Sequence, residues 1–271
     1  MTPLDGARDD IRDGIRDGIR FAFGTLTALP VRITRWDRAA ARAGMLSAPL
    51  AGLVVGLFAA CAGSLMTLLG SGPLLAAAAT VAVPAALTRG LHLDGLADTA
   101  DGLGSAKPAE DALRIMKQSD IGPFGVITLL FVLLAQVAAV AELYAEGWTY
   151  GAVGAAVSGV TARLALTLAS RKGVPAARPE GLGAVVAQVV PVRTGLAVAA
   201  LVTAACAAAG APAGGYGGAV HHALAVLTGL GAAQLLLRHC VRRFGGVTGD
   251  VFGALAETAA TVCLVALVLG R

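Results

Sequence analysis

Residues 122–143 read GPFGVITLLFVLLAQVAAVAEL, and in those 22 positions only Glu142 is charged. About 20 predominantly apolar residues in helical form cross the roughly 30 Å hydrocarbon core of a bilayer. The run is too long and too uniform for the core of a soluble domain. It reads as a transmembrane helix, with Gly122, Pro123 and Gly125 turning the chain into it.

Working outward, six more apolar runs appear at about 45–69, 73–89, 149–169, 194–211, 218–239 and 251–270. The runs at 73–89 and 194–211 are the shortest. The whole chain of 271 residues is 56% hydrophobic and 14% charged, with a mean hydropathy of +0.76. Soluble domains carry roughly 25% charged residues. Backbone polar groups in lipid must be satisfied within the segment, which makes each long run a helix. The expected fold is therefore all-α: a polytopic transmembrane helical bundle of about seven spans. Abundant glycine and alanine suit close helix packing. Gly52 and Gly56 form a GxxxG, though among 36 glycines such a spacing also arises by chance.

The basic residues are distributed unevenly. Of the 21 Lys and Arg, 19 fall before the first run, in the loops after the second and fourth, or at the end of the sixth. The connections near 70–72, 144–148 and 211–217 hold none. By the positive-inside rule the basic loops and the N-terminus are cytoplasmic, and an odd number of spans leaves the C-terminus outside. A net charge of +4 spread over separate loops is no signal for nucleic acid. Cys61, Cys206, Cys240 and Cys263 lack paired spacing, so neither a disulfide framework nor a CxxC metal site is expected.

Residues 1–20 are set apart as a charged N-terminal segment, and 21–271 as one integral membrane catalytic domain. The segment carries the repeat DDIRDGIRDGIR at 9–20. As a helix it aligns Ile11, Ile15 and Ile19, with Asp-to-Arg pairs three apart. It reads equally as an interfacial helix or as a solvated tail weakened by Gly14 and Gly18. No cleavable signal peptide is expected, because the segment alternates charges and has no apolar core.

The candidate chemistry starts at LHLDGLADTADG, residues 91–102. In a helix the offsets i, i+4 and i+7 put Asp94, Asp98 and Asp101 on one face. Clustered carboxylates at a membrane boundary repel one another unless a cation neutralises them. Hard oxygen ligands in small number suit Mg2+ shared with a phosphate or diphosphate. Asp94 and Asp98 are the preferred metal ligands. Asp101 is either a third ligand or a base, and the spacing does not separate these roles. Farther along, Arg114 and Lys117 are candidate phosphate contacts.

The stretch RRFGGVTGD, residues 242–250, offers Arg242, Arg243, Thr248 and Asp250 around three glycines, a candidate anion nest. It lacks the GK[ST] ending of a P-loop. His92 reads as a packed interfacial side chain, His221 and His222 as outer residues without a catalytic part, and His239 stays undecided. Arg163 and Glu257 fall within apolar runs, where a charge faces a cavity or a partner. For Arg163 an ion pair and a substrate contact stay open.

Together, HLDGLADTADG, MKQSDIGPFG and RRFGGVTGDVFGA resemble the signature stretches of the cobalamin synthase family, the adenosylcobinamide-GDP ribazoletransferases. FGTLTALPV at 23–31 and SRKG…ARPEGLG at 170–183 match in order and spacing, and the resemblance runs from about residue 21 to the end. The chain departs at Ala28, where the family often has arginine, and at Gln118, where it often has aspartate. The resemblance implies joining adenosylcobinamide-GDP to α-ribazole, or its 5′-phosphate. The products would be adenosylcobalamin, or its phosphate, and GMP. It also implies magnesium and the inner face of a bacterial membrane. The substrates and the bilayer are the partners expected.

Two other readings use the same features. A membrane CDP-alcohol phosphotransferase or a prenyltransferase also places aspartates at a cytoplasmic helix end, but the DG-x2-AR pattern of the former is broken by Asp98. A transporter would need charges at mid-membrane, and only Arg163 qualifies.

Overall fold

A computed structural model describes residues 3–270, with the side chains of residues 3–11 and of Ala213 outside the description. The order is α1 (Pro3–Leu26), α2 (Arg38–Leu68), α3 (Pro73–Leu87), α4 (Leu91–Gly104), α5 (Ala109–Ile115), α6 (Pro123–Glu146), α7 (Trp148–Ala169), α8 (Leu182–Val186), α9 (Val192–Phe244) and α10 (Gly249–Val268). Among the described residues the only bridges are two isolated ones in loops.

Among the described residues six helical stretches are long and apolar enough to cross a membrane: α2, α6, α7, the two arms of α9 (Val192–Pro212 and Gly214–Phe244) and α10. The bent pair α3–α4 makes a seventh crossing when taken as one span. This is the architecture of a multi-pass membrane protein. Outward faces stay apolar: Phe131, Leu134, Leu201 and Leu235 are exposed on the bundle surface.

The short run at 73–89 forms α3 and ends at a sharp turn. Helix α3 has 15 residues, about 22 Å at 1.5 Å per residue, short of the hydrocarbon thickness. The chain then turns through 87° into α4. Arg89 and Gly90 both adopt positive φ, 54° and 72°, which ends the first helix and starts the next. Since α3 packs along α2 and α6, α4 runs across the end of the bundle. The carboxylate segment thus sits on its own helix, bent 87° away from the part of the pair that runs along the bundle.

The break in α9 follows APAGG: Gly214 and Gly215 leave helical geometry, and Gly215 has φ 58°. The two arms fold back on each other, so that Gly210 lies against the His222 ring.

Helix α7 is the central post. It meets α2 at the Gly52/Gly56 spacing, where a Cβ on Gly52 would stand 2.3 Å from the Gly159 carbonyl oxygen and one on Gly56 2.9 Å from that of Ala155. The GxxxG is therefore a backbone-to-backbone contact and no chance spacing. Thr167 donates to the Met45 carbonyl at 2.6 Å across the same interface. Arg163 on α7 is buried, close enough to Glu257 on α10 to interact electrostatically. Gln136 on α6 donates to Glu257 Oε2 and to Thr261 Oγ1, both at 2.9 Å. Gln136 thus ties α6 to α10, with the Arg163 charge of α7 beside them.

Helix α1 is continuous across residue 20. Gly18 packs on Ala43, and Phe21 fits against Gly44. Ile15 and Ile19 are exposed. Ile11 and the repeat residues before it lie outside the described side chains.

Candidate active site

Helix α4 crosses the first turn of α10 without side chains between them. A Cβ on Gly95 would fall 2.6 Å from the Asp250 carbonyl oxygen, and one on Gly253 2.9 Å from that of His92. This contact brings Asp94 and Asp98, which flank Gly95, to Asp250. Asp94 is exposed and Asp98 half-buried. Burial, then the charges of Asp94, Asp250 and Asp101, push the Asp98 carboxyl up to about 7, with Arg178 pulling the other way. A side chain so placed is a poor home for another negative charge and a good one for a cation.

Asp101 does not complete the trio as expected. Its side chain is 7% exposed, and its two oxygens accept from the backbone N–H groups of Gly122 (2.8 Å) and Gly125 (2.9 Å). It caps α6 from a distance, satisfying orphan donors of the first turn. A Cβ on Gly122 would stand 2.4 Å from Asp101 Oδ1, and one on Gly125 2.6 Å from Oδ2, so both glycines make room for the carboxylate. Asp94 and Asp98 are thus the open carboxylates of α4, Asp101 is engaged by the first turn of α6, and Asp250 arrives from α10. Among the described residues no three His, Cys, Asp or Glu side chains stand close enough to hold a metal by themselves. Magnesium requires less: it binds through one or two carboxylates, keeps several waters and shares substrate phosphates. Asp94 and Asp98 fit that pattern.

The 170–190 loop supplies a residue that sequence reasoning passed over. Backbone pairs Ala177 N–H to Val247 O and Val247 N–H to Pro175 O, both 2.9 Å, fasten this loop to the turn before α10. Gly183 packs on the backbone of Thr248. So held, Arg178 places its guanidinium 4.0 Å from Asp250 Oδ2 and donates to the Leu113 carbonyl on α5. The only sequence signal was its position in ARPEGLG, since its partners lie far off in the chain.

The other expected residues divide by role. Thr248 is the N-cap of α10: its hydroxyl accepts from Val251 N–H at 3.2 Å and donates to Asp250 Oδ2 at 3.1 Å. Arg243 donates to the Lys107 carbonyl and lies 5.9 Å from the Phe244 ring centre. Arg242 is exposed. The expected nest at 242–250 is thus partly a structural clasp, with Thr248 and Arg243 engaged in holding loops. Arg114 pairs with Asp111 at 3.0 Å and Lys117 with Glu180 at 2.8 Å, all four exposed at the surface. Exposed pairs of this kind contribute little, so a phosphate can draw either cation away.

These stretches are the ones a family comparison selects. The family model described as cobalamin-5-phosphate synthase matches residues 18–268. The chain belongs to the cobalamin-5-phosphate synthase family. Similar proteins include the adenosylcobinamide-GDP ribazoletransferase of Frankia casuarinae, 42% identical, with 92% of this chain and 94% of that one covered. The protein of that name in Nocardioides sp. is 41% identical, over 91% and 96% of the two chains. The one in Brevibacillus brevis is 32% identical, over 91% and 96%. No solved structure matches the chain significantly. Within this synthase family member, α4, the 170–190 loop and the α10 start form one end of the bundle, the end that carries the basic loops.

Proposed function

We propose that this protein is an adenosylcobinamide-GDP ribazoletransferase. A ribose hydroxyl of α-ribazole, or of its 5′-phosphate, attacks the phosphorus carried by the cobinamide. The new P–O bond forms as the bond to the GMP phosphate breaks, GMP leaves, and the hydroxyl proton passes to a carboxylate. The observation that carries this reading is the crossing of α4 and α10, which gathers Asp94, Asp98, Asp250 and Arg178 in a member of this family.

Asp94 and Asp98 would hold Mg2+, which supplies charge neutralisation for the diphosphate and the departing phosphate. Asp250, from the opposite helix, takes the hydroxyl proton. Thr248 orients that carboxylate. Arg178 reaches the developing charge on the phosphoryl oxygens, with Arg114, Lys117 and Arg242 as outer contacts for a large anionic substrate. The basic asymmetry of the loops supports placing this end at the cytoplasmic face of a bacterial inner membrane.

The test is GMP release by purified protein in nanodiscs, given adenosylcobinamide-GDP, α-ribazole and magnesium, with the corrinoid product identified by mass. Wild-type protein that releases no GMP, or releases it without forming the joined corrinoid, overturns the reading.

A further inference from the structure

Residues 147–249 hold a single acidic residue, Glu180, and its carboxylate is already paired with Lys117 at 2.8 Å. Four cations of this stretch gather at one place. The loop after α7 is stitched to the chain entering α9: Lys172 N–H donates to the Val190 carbonyl at 2.8 Å, and Val190 N–H to that of Ser170 at 3.0 Å. Arg171 and Lys172 are thereby held beside the start of α9, whose first turn carries Arg193. Arg171 Nη1 donates to the Leu168 carbonyl at 2.6 Å, which fixes its half-buried side chain in place. Arg238, near the other end of α9, comes close enough for its like charge to add to burial in lowering the Arg171 guanidinium. Lys172, Arg193 and Arg238 are exposed. Among the described residues none of the four forms an ion pair. Like charges held together without a counter-ion oppose folding and attract an anion.

We infer that Arg171, Lys172, Arg193 and Arg238 form a binding site for one anionic phospholipid in the leaflet at this end of the bundle. The inference rests on the multi-pass architecture and not on the reaction proposed above. The helices that carry the arginines select the ligand. Arg193 and Leu196 are three residues apart on the first arm of α9, as are Leu235 and Arg238 on the second, so each arginine shares a helix face with a leucine. Leu196 is 58% and Leu235 66% exposed, on arms apolar enough to cross a membrane. In both pairs the leucine lies deeper in its arm than the arginine. Each face therefore runs from hydrocarbon to positive charge, the profile of a phospholipid read from tail to headgroup. A soluble anion would meet the charges alone. A phospholipid meets both, with its phosphate between the arginines and its chains along Leu196 and Leu235. Arginine suits the phosphate because its planar fork donates two parallel hydrogen bonds. Net headgroup charge decides between lipids. A zwitterionic headgroup brings its own cation into a patch with no carboxylate to receive it, whereas an anionic one brings only the charge the patch lacks. Basic pockets between membrane helices receive such headgroups.

The experiment titrates purified full-length protein in detergent with phosphatidylglycerol or phosphatidylcholine of the same acyl chains, and native mass spectrometry counts the bound lipid. Wild type is expected to hold one phosphatidylglycerol about tenfold or more tighter than phosphatidylcholine. Arg193→Gln with Arg238→Gln should weaken phosphatidylglycerol by about tenfold or more, the scale of two basic side chains at a membrane surface, and leave phosphatidylcholine unchanged. Arg12→Gln with Arg16→Gln removes two exposed arginines from α1 and should bind as wild type does. Inorganic phosphate should not displace the lipid. Should the Arg193/Arg238 variant fail to accumulate, Arg193→Gln alone takes its place, with a loss of about fivefold expected. Equal binding of the two lipids by wild type, or an equal loss in the α1 variant, overturns the inference. Displacement by inorganic phosphate overturns it as well and assigns the patch to a soluble anion.

Discussion

Gly95 rests directly on the backbone of Asp250. A Cβ at residue 95 would lie 2.6 Å from the Asp250 carbonyl oxygen, 2.9 Å from its Cα and 3.1 Å from its carbonyl carbon. None of these is a flexible side-chain end, so the helices themselves must part to admit a methyl group. The contact fixes the distance across the site, because the two carboxylates of α4 flank Gly95 and the third sits on Asp250.

Gly95→Ala is accordingly expected to lower turnover at least tenfold. Alanine within a helix is ordinarily favoured over glycine by about 1 kcal/mol, but overpacking a tight contact costs about 1–3 kcal/mol. Gly231→Ala is the control: Gly231 lies in the helical arm of α9, and a Cβ there meets nothing within 4 Å. It should match wild type in turnover and be slightly more heat-stable. Thermal unfolding and GMP release on both variants check this, and full activity in Gly95→Ala would show that the α4–α10 spacing does not matter.

Asp101 gives the second prediction. Its carboxylate occupies the two N–H groups of Gly122 and Gly125, so Asp101→Ala should cost about 1–2 kcal/mol of stability, the scale of a lost helix cap. Gly122→Ala, which drives a methyl into the carboxylate, should destabilise in the same direction. Residual turnover in Asp101→Ala should keep the wild-type dependence on magnesium concentration. A shifted magnesium dependence with unchanged stability would return Asp101 to the metal.

The spans were legible because lipid leaves a simple trace: long uncharged runs, and APAGG where α9 folds back. The run at 73–89 marks α3, while the 87° turn after it is a backbone event at Arg89 and Gly90 that apolar runs do not register. The aspartates stood out by their spacing, yet periodicity places side chains on a face and does not say what the face meets. The acceptor role of Asp101 depends on N–H groups 21 and 24 residues away, and Arg178 meets Asp250 only through loop pairing. Gly95 looked like a spacer between two aspartates. Its importance lies in what packs on it.

The sidedness of the membrane yields a third prediction. With the native cysteines removed, Gln118→Cys should resist an impermeant thiol reagent in intact cells and react once the membrane is opened. Tyr216→Cys, at an 87% exposed position between the arms of α9, should react in intact cells. Labelling at residue 118 from outside would place the carboxylates on the wrong side for a cytoplasmic nucleotide substrate.

The last prediction concerns Asp98, which feels the charges of both Asp94 and Asp250. Asn keeps the size and loses the charge, and magnesium prefers carboxylate oxygen. Asp98→Asn should raise the barrier by about 3 kcal/mol or more, over a hundredfold in turnover at about 1.4 kcal/mol per tenfold. The protonation linkage supplies an independent readout. Burial and neighbouring carboxylates raise Asp98 from the ordinary 3.8 to about 7, so the folded state favours its protonated form. That contribution is complete below about pH 4 and is lost as pH rises through about 7. Magnesium-free wild-type protein should therefore lose thermal stability between pH 5 and pH 8, more steeply than Asp98→Asn. Added magnesium should restore wild type at pH 8, by binding the folded state, have little effect at pH 5, and do less for the variant. Stability profiles that coincide in wild type and Asp98→Asn, with and without magnesium, would remove Asp98 from the metal site even if turnover fell.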